Sequence, residues 1–261
     1  MPRNDASDLR AAYDRDGYVI AREAIDRELA QEACDHVNWL LAKHPKLRPE
    51  DLHHNLMIGD PFWHRLISDS RLVDLAEVFI GPNVALFATH YIAKAPKTGR
   101  PVLWHQDGSY WPLEPMEVTT LWLACSDSTP ENGCMRVIPG TQTLDLQEMK
   151  PNEAVDSVLH SEIDASFVDD TNAVDFVLAP GDVSIHNPKI VHGSNANTSD
   201  RWRVGLTIRY IPTSTAITRD GAGSPYLLRG EAVAGVNQYL DRPVFREGEH
   251  FAFRDRALYA G

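Results

Sequence analysis

The chain has 261 residues, 43% of them hydrophobic and 24% charged, the balance of an ordinary globular protein with ample core. A formal net charge of −12 argues against broad electrostatic capture of nucleic acid or an anionic membrane, while leaving room for a local basic pocket. Cys34, Cys125 and Cys134 are an odd set without CxxC spacing, so neither a disulfide framework nor a structural zinc site is expected, and a reducing cytoplasm fits. The charged N-terminal stretch has no apolar signal core, and no run approaches the roughly 18 apolar residues of a membrane span. An intracellular, cytoplasmic protein is expected, in which the sequon Asn197-Thr198-Ser199 carries no glycan.

In chain order, the first third reads as helical. "DASDLRAAYDRDG" offers a cap and a short helix stopped at Gly17, and "AIDRELAQEACDHVNWLLAKHP" carries Ile25, Leu29, Ala33, Val37 and Leu40 at helical spacing before Pro45. "SRLVDLAEVFIGP" repeats the pattern with Leu72, Leu75, Val78 and Phe79, then stops at Gly81-Pro82; these stripes read as core packing. From Val84 the period changes. "VALFATHYIAKAP", "VTTLWLACS", "CMRVIPG", "AVDFVLAPGDVSIHN" and "RVGLTIRYIP" are short, rich in β-branched and aromatic residues, and bounded by Pro, Gly, Asn or Asp. Successive strands without intervening helices favour an antiparallel barrel or sandwich, with the helices covering one outer face. "LDLQEMKPNEAVDSVLHSEIDASFVDD" is a polar insertion, of the kind that often borders a site. No repeat or Gly/Ser linker divides the chain. One domain over residues 1–261 is expected: a helical part to about residue 83, a β core to about 213, and a C-terminal extension from about 214 to 261.

The chemistry concentrates in two stretches. "WHQDGSYWPLEP" sets His105 and Asp107 two positions apart, which by itself is as easily a polar turn as two-thirds of a metal site. "GDVSIHNPKIVHGSNANTSDRWRVGLTIRYIP" then supplies His186 and His192, followed by Arg201, Arg203 and Arg209. Two histidines and a carboxylate from separate strands can hold one face of an octahedral metal and leave positions open, the arrangement of non-haem Fe(II) oxygenases. Two neutral imidazoles and one carboxylate leave a ferrous ion with a single net positive charge, suited to a dianionic 2-oxo acid. A buried arginine can pair with the far carboxylate of such an acid, and Arg203 sits on a strongly strand-like segment after His192. A salt bridge at the barrel rim is the plainer alternative for a strand arginine.

Taken in order, "WHQDGSYWPLEP", "ENGCMRVIPGT" and "HGSNANTSDRWRVGLTIRYIP" resemble the phytanoyl-CoA dioxygenase family of Fe(II)/2-oxoglutarate oxygenases, with "DRDGYVIAREAID" and "GPNVALFATHYIAKAP" fitting its N-terminal portion. The resemblance runs from about Tyr13 to Pro212, with a weaker echo in "SPYLLRG". It implies a double-stranded β-helix, or jelly roll, with flanking helices. It also implies Fe(II) ligated by His105, Asp107 and His192, the "HGS" context selecting His192 over His186, which becomes a packed histidine near the pocket wall. By the same resemblance Arg203 anchors 2-oxoglutarate, Ser194 assists by hydrogen bonding, and Trp122 and His90 line the cosubstrate pocket. Dioxygen and 2-oxoglutarate would then be converted, with release of succinate and carbon dioxide, as a substrate is oxidised. The chain departs from the family at Gln142, where Pro-Gly-Ser/Thr is often followed by histidine. Retention of Asp107 favours hydroxylation or another oxidation over halogenation.

For the substrate, Tyr110 and Trp111 follow the ligands closely enough to form a wall, and Arg136 and Arg209 could turn inward by strand alternation. Packing under a loop and rim salt bridges are the plainer alternatives. The Gly-rich segment from Thr218 to Gly235, carrying Arg219 and Arg229, is the lid candidate. A small metabolite is preferred to a CoA thioester because the chain is acidic, and no nucleic-acid or membrane partner is expected. Two rival classes stay in view: a barrel that binds a ligand without turnover, and a cupin-like metal isomerase or hydrolase.

Overall fold

The computed structural model describes residues 6–261. The helical stripes of the first third form as the periodicity requires. Helix α1 (Ala6–Asp16) ends at Gly17, whose φ of +82° turns the chain back as its amide bonds to Tyr13 O at 2.8 Å. Helix α2 (Arg27–Lys43) begins at Asp26, which accepts a hydrogen bond from Leu29 N at 2.8 Å, and it buries Leu29, Ala33, Val37 and Leu40 along one face. Helix α3 (Pro61–Ile67), capped by Asp60, buries every residue except Arg65. Helix α4 (Ser70–Ile80) ends at Gly81.

The strands of three or more residues are β1 (Tyr18–Ala21), β2 (Val84–Lys94), β3 (Val102–His105), β4 (Thr119–Ala124), β5 (Met135–Val137), β6 (Val183–His186), β7 (His192–Ser194), β8 (Arg203–Pro212) and β9 (Leu227–Arg229). They form a large sheet in the order β1-β6-β4-β8-β2-β9, with Leu52–His53 also pairing to β2. A smaller sheet runs Val174–Asp175, β5, β7, β3. From β2 to β8 the named strands alternate between the large and small sheets, and all the pairings are antiparallel. That winding is the jelly roll expected from the resemblance.

Two segments outside the anticipated core are part of it. The first third is not wholly helical, because β1 pairs along β6 from Tyr18↔His186 to Ala21↔Val183. In the C-terminal extension β9 pairs with β2, and Arg229 reaches Glu77 and Asp74 on α4 at 2.6 and 2.7 Å. The back of the expected lid is therefore tied down, whereas Arg219 and Gly221 at its front are exposed. The sequon is tied down too: Asn197 is buried and its Nδ2 donates to the carbonyls of Lys94, Ala95 and Arg201.

Period-two alternation assigns the two faces of the large sheet. Val204, Leu206, Ile208 and Tyr210 of β8 enter the core under the helices, together with Tyr91, Leu121, Leu123, Val183 and Ile185. Their neighbours Arg203, Thr207, Arg209, His90, Ile92, Trp122 and His186 line a cavity between the sheets instead. A register slip of one residue would exchange these sets, driving arginines into the helical core, so the pattern pins the register.

Candidate active site

The cavity holds about 60 Å³, closed on the small-sheet side by Val102, Met135, Val158 and Leu159. Val158 and Leu159 come from the polar insertion, which thus supplies part of the wall. At one end lie His105, at the end of β3, and His192, at the start of β7; the two are cross-strand partners, with ring centroids 4.1 Å apart. Asp107 opens the 3₁₀ turn Asp107–Tyr110, and its Oδ1 is 3.5 Å from His105 Nε2. One donor atom from each of these three buried residues falls within 4.8 Å of the other two, as a single ion requires.

Both imidazoles are oriented by backbone. His105 Nδ1 lies 2.8 Å from Leu103 O, and His192 Nδ1 lies 3.1 Å from Ile190 O. Because a carbonyl can only accept, each Nδ1 carries the proton and each Nε2 keeps its lone pair for a metal. Burial, followed by the neighbouring His105, lowers the pKa of His192 well below its ordinary value, which favours the neutral, ligating form. Burial alone would raise the Asp107 carboxyl. The Arg209 guanidinium and the contacts with His105, His186 and His192 outweigh it and hold the group well below the ordinary carboxylate range. Donor types, tautomers and charge all fit a divalent metal.

Arg203 lies further along the cavity. It is 1% exposed, and its guanidinium donates to Gly133 O at 2.6 Å and Ile92 O at 3.0 Å. Its Nε is buried without a partner, and among the described residues no carboxylate pairs with it. It sits over the Trp122 ring at 5.2 Å. Burial pulls its pKa down to about 10, so the group stays charged near neutrality. A buried, charged guanidinium with a free donor fits an anionic ligand, here the far carboxylate of a 2-oxo acid. Ser194 lines the same cavity, and its Oγ accepts from Lys94 Nζ at 2.6 Å, which leaves the hydroxyl proton available to a ligand. His90 and Trp122 complete this group of four cosubstrate candidates around one cavity.

The four substrate candidates divide. Arg209 lines the cavity, 3.9 Å from Asp107 Oδ1 and over the Trp111 ring at 5.0 Å. Tyr110 stands beside His105 at 6.2 Å between ring centroids, its hydroxyl bonded to Ser161 Oγ at 2.7 Å. Arg136 lies outside the cavity: alternation on β5 turns it to the rim, where it pairs with Asp170 at 2.7 Å and Asp175 at 3.0 Å. His186 is at the wall, its Nε2 3.6 Å from Asp107 Oδ2. Neither Lys94 nor Glu50 is expected as a site residue from the sequence motifs. The buried Lys94 fixes Ser194, and the buried Glu50 accepts from Arg100 N while its backbone carbonyl meets His90 Nε2. For Lys94, the inward run His90, Ile92, Lys94 at period two was the available clue.

A jelly roll that brings two histidines, one carboxylate and a free buried arginine to one cavity defines the class of non-haem iron proteins that take a 2-oxo acid. The phytanoyl-CoA dioxygenase (PhyH) family model matches residues 9–205, and the chain belongs to that family of Fe(II)- and 2-oxoglutarate-dependent enzymes. A phytanoyl-CoA dioxygenase domain-containing protein 1 homolog of Caenorhabditis briggsae is 24% identical over 257 residues, covering 77% of this chain and 89% of the relative. The peroxisomal phytanoyl-CoA dioxygenase of Rattus norvegicus is 30% identical, but the match covers 54% of this chain and 43% of that enzyme. Among solved structures, the non-heme monooxygenase ThoJ superposes with a TM-score of 0.77 at 23% identity, over 90% of this chain and 88% of that one. The epimerase SnoN, solved with Fe3+, alpha ketoglutarate and nogalamycin RO, superposes with a TM-score of 0.68 at 25% identity, over 96% of both chains. No helix of the described residues is long and apolar enough to cross a membrane, and the three cysteines are free.

Proposed function

We propose that this protein is a dioxygenase that hydroxylates or otherwise oxidises a small metabolite at the expense of 2-oxoglutarate. His105, Asp107 and His192 would hold Fe(II), and Arg203, with Ser194, Trp122 and His90, would hold the cosubstrate. Tyr110, Trp111 and Arg209 would face the substrate; the rim ion pairs of Arg136 argue against that role for it. Dioxygen would be the oxidant: the bound iron would activate it and 2-oxoglutarate would give up two electrons, leaving as succinate and carbon dioxide while the substrate is oxidised. The chain's own residues do the placing. Two backbone carbonyls orient the imidazoles, Arg209 keeps Asp107 ionised, and Val102, Met135, Val158 and Leu159 give the cavity an apolar wall beside the reacting groups.

The observation that carries this reading is Arg203: a fully buried guanidinium with a free Nε, on the same cavity as the ligand triad. A metal isomerase needs no arginine for a 2-oxo acid, and a degenerate binding barrel would be expected to have lost at least one of the three ligands or Arg203. The epimerase among the structurally similar proteins makes the outcome of the oxidation the open choice, between insertion of oxygen and another rearrangement at carbon. A reducing compartment such as the cytoplasm suits the three free thiols. The test is anaerobic reconstitution with Fe(II), followed by a substrate screen that reads succinate against 2-oxoglutarate consumed. Failure of the metal-loaded protein to bind 2-oxoglutarate would overturn the proposal.

A further inference from the structure

We infer that the substrate carries one oxyanion, a carboxylate or a phosphonate-like group, and that Arg209 holds it at the metal end of the cavity. The inference rests on the function proposed above and adds the substrate's charge. Arg209 lies on the same inward face of β8 as Arg203, six residues further along the strand. Its side chain is 12% exposed, yet among the described residues it donates no hydrogen bond, and its Nε is buried without a partner. The nearest carboxylate oxygen, Asp107 Oδ1, is 3.9 Å from its terminal nitrogen, and that carboxylate is the one a metal would claim. One face of the guanidinium rests over the Trp111 ring at 5.0 Å, which leaves the edge, where the N–H groups point, for a ligand.

The charges around Arg209 give the sign of what is missing. The cavity is lined by one carboxylate, Asp107, and two guanidinium groups, Arg203 and Arg209; its remaining ionisable residues are histidines. Of these, His90 is pushed down to about 3 chiefly by burial, so it adds no charge at neutral pH. His54, outside the lining but within electrostatic reach of Arg209, is lowered to about 4, again mainly by burial, and its Nε2 is buried without a partner. Adding a divalent metal and a dianionic 2-oxo acid adds no net charge. The buried Glu50 acts on Arg203, whereas Asp107 is the carboxylate acting on Arg209, so with Asp107 given to the metal Arg209 is left without a counter-ion. An uncompensated buried charge is costly, and a monoanionic substrate removes it where a neutral one does not. The forked N–H pattern suits an oxyanion in particular.

The probes are acetate and methylphosphonate, with acetamide as the neutral match to acetate. They are titrated at constant ionic strength into Zn(II)-loaded protein already saturated with 2-oxoglutarate, and binding is read by calorimetry and melting temperature. Wild type should bind the two anions and not acetamide. Arg209→Gln should weaken anion binding by at least about tenfold and leave 2-oxoglutarate affinity within about threefold. Arg209→Lys, which keeps the charge without the fork, should retain part of the anion binding and guards against a folding artefact. Equal binding of acetamide and acetate overturns the inference, as does absence of anion binding in wild type or full anion binding in Arg209→Gln. Loss of 2-oxoglutarate rather than of the probes in Arg209→Gln also overturns it, by assigning Arg209 to the cosubstrate. Failure of the underlying function is seen separately, in the first titration, as wild type that does not bind 2-oxoglutarate.

Discussion

Replacing Arg203 with alanine tests the function proposed here most directly. The guanidinium has five N–H donors, and two contacts, to Gly133 O and Ile92 O, are made within the chain. The unpartnered Nε and the adjacent terminal nitrogen can therefore grip a carboxylate with two parallel bonds. Removing one partner of a buried, hydrogen-bonded charge pair costs about 3–5 kcal/mol, and about 1.4 kcal/mol is tenfold in affinity. Binding of 2-oxoglutarate should therefore weaken by roughly two to three orders of magnitude. Two carbonyls lose their donor in the variant, at about 1–3 kcal/mol each if left unsatisfied, while loss of an unpaired buried charge offsets part of that. The assay is calorimetric titration of 2-oxoglutarate into Zn(II)-loaded wild type, Arg203→Ala and Arg203→Lys, with a thermal melt of each. Arg203→Lys keeps the charge but loses the fork, so it should fall between the other two. A folded Arg203→Ala protein that binds 2-oxoglutarate within about threefold of wild type would refute the reasoning.

His105→Ala and His192→Ala should each abolish stoichiometric ferrous binding with the fold intact, whereas His186→Ala should retain the metal; metal retained in His192→Ala and lost in His186→Ala would exchange their roles. Asp107→Gly should weaken iron and collapse succinate release, and full iron with full turnover in that variant would reduce His-x-Asp to a polar turn. Gly205→Ala should lower the melting temperature and weaken 2-oxoglutarate, because the added Cβ would lie 2.1 Å from Trp122 Cζ2, and such overpacking typically costs about 1–3 kcal/mol. An unchanged melt would show that Trp122 yields freely. His64, buried and with Nδ1 2.9 Å from the Tyr259 hydroxyl, has its pKa lowered to about 4, mainly by burial. The unfolded chain then takes up a proton near pH 6.5 that the folded chain refuses until about pH 4, so stability should fall as pH drops through that window. His64→Gln should flatten this slope in melts of metal-free protein; an unchanged slope would assign it to other groups.

The sequence by itself determined the periodicities, and with them most of the fold. Leu29, Ala33, Val37 and Leu40 could only be a buried helix face, and alternation along Arg203–Pro212 could only be a strand with two unlike faces. It also carried the chemical inventory of the site, since His105, Asp107, His192 and Arg203 stand in ordered motifs whose residue types suit one metal and one 2-oxo acid. Local pattern could not say which arginine turns inward. Arg136 and Arg209 both lie on strands, and only the pairing of β5 beside Val174–Asp175 brings Asp175 against Arg136 and holds it at the rim. The same limit hid β1 and β9, short segments whose stability comes from β6 and β2, far away in sequence. It hid Lys94 as well, because an ammonium among apolar residues reads as a strand end until Ser194 arrives from 100 residues away. Side-chain type and spacing are local properties, whereas the choice of partner for a buried charge depends on contacts made only when distant strands close around the cavity.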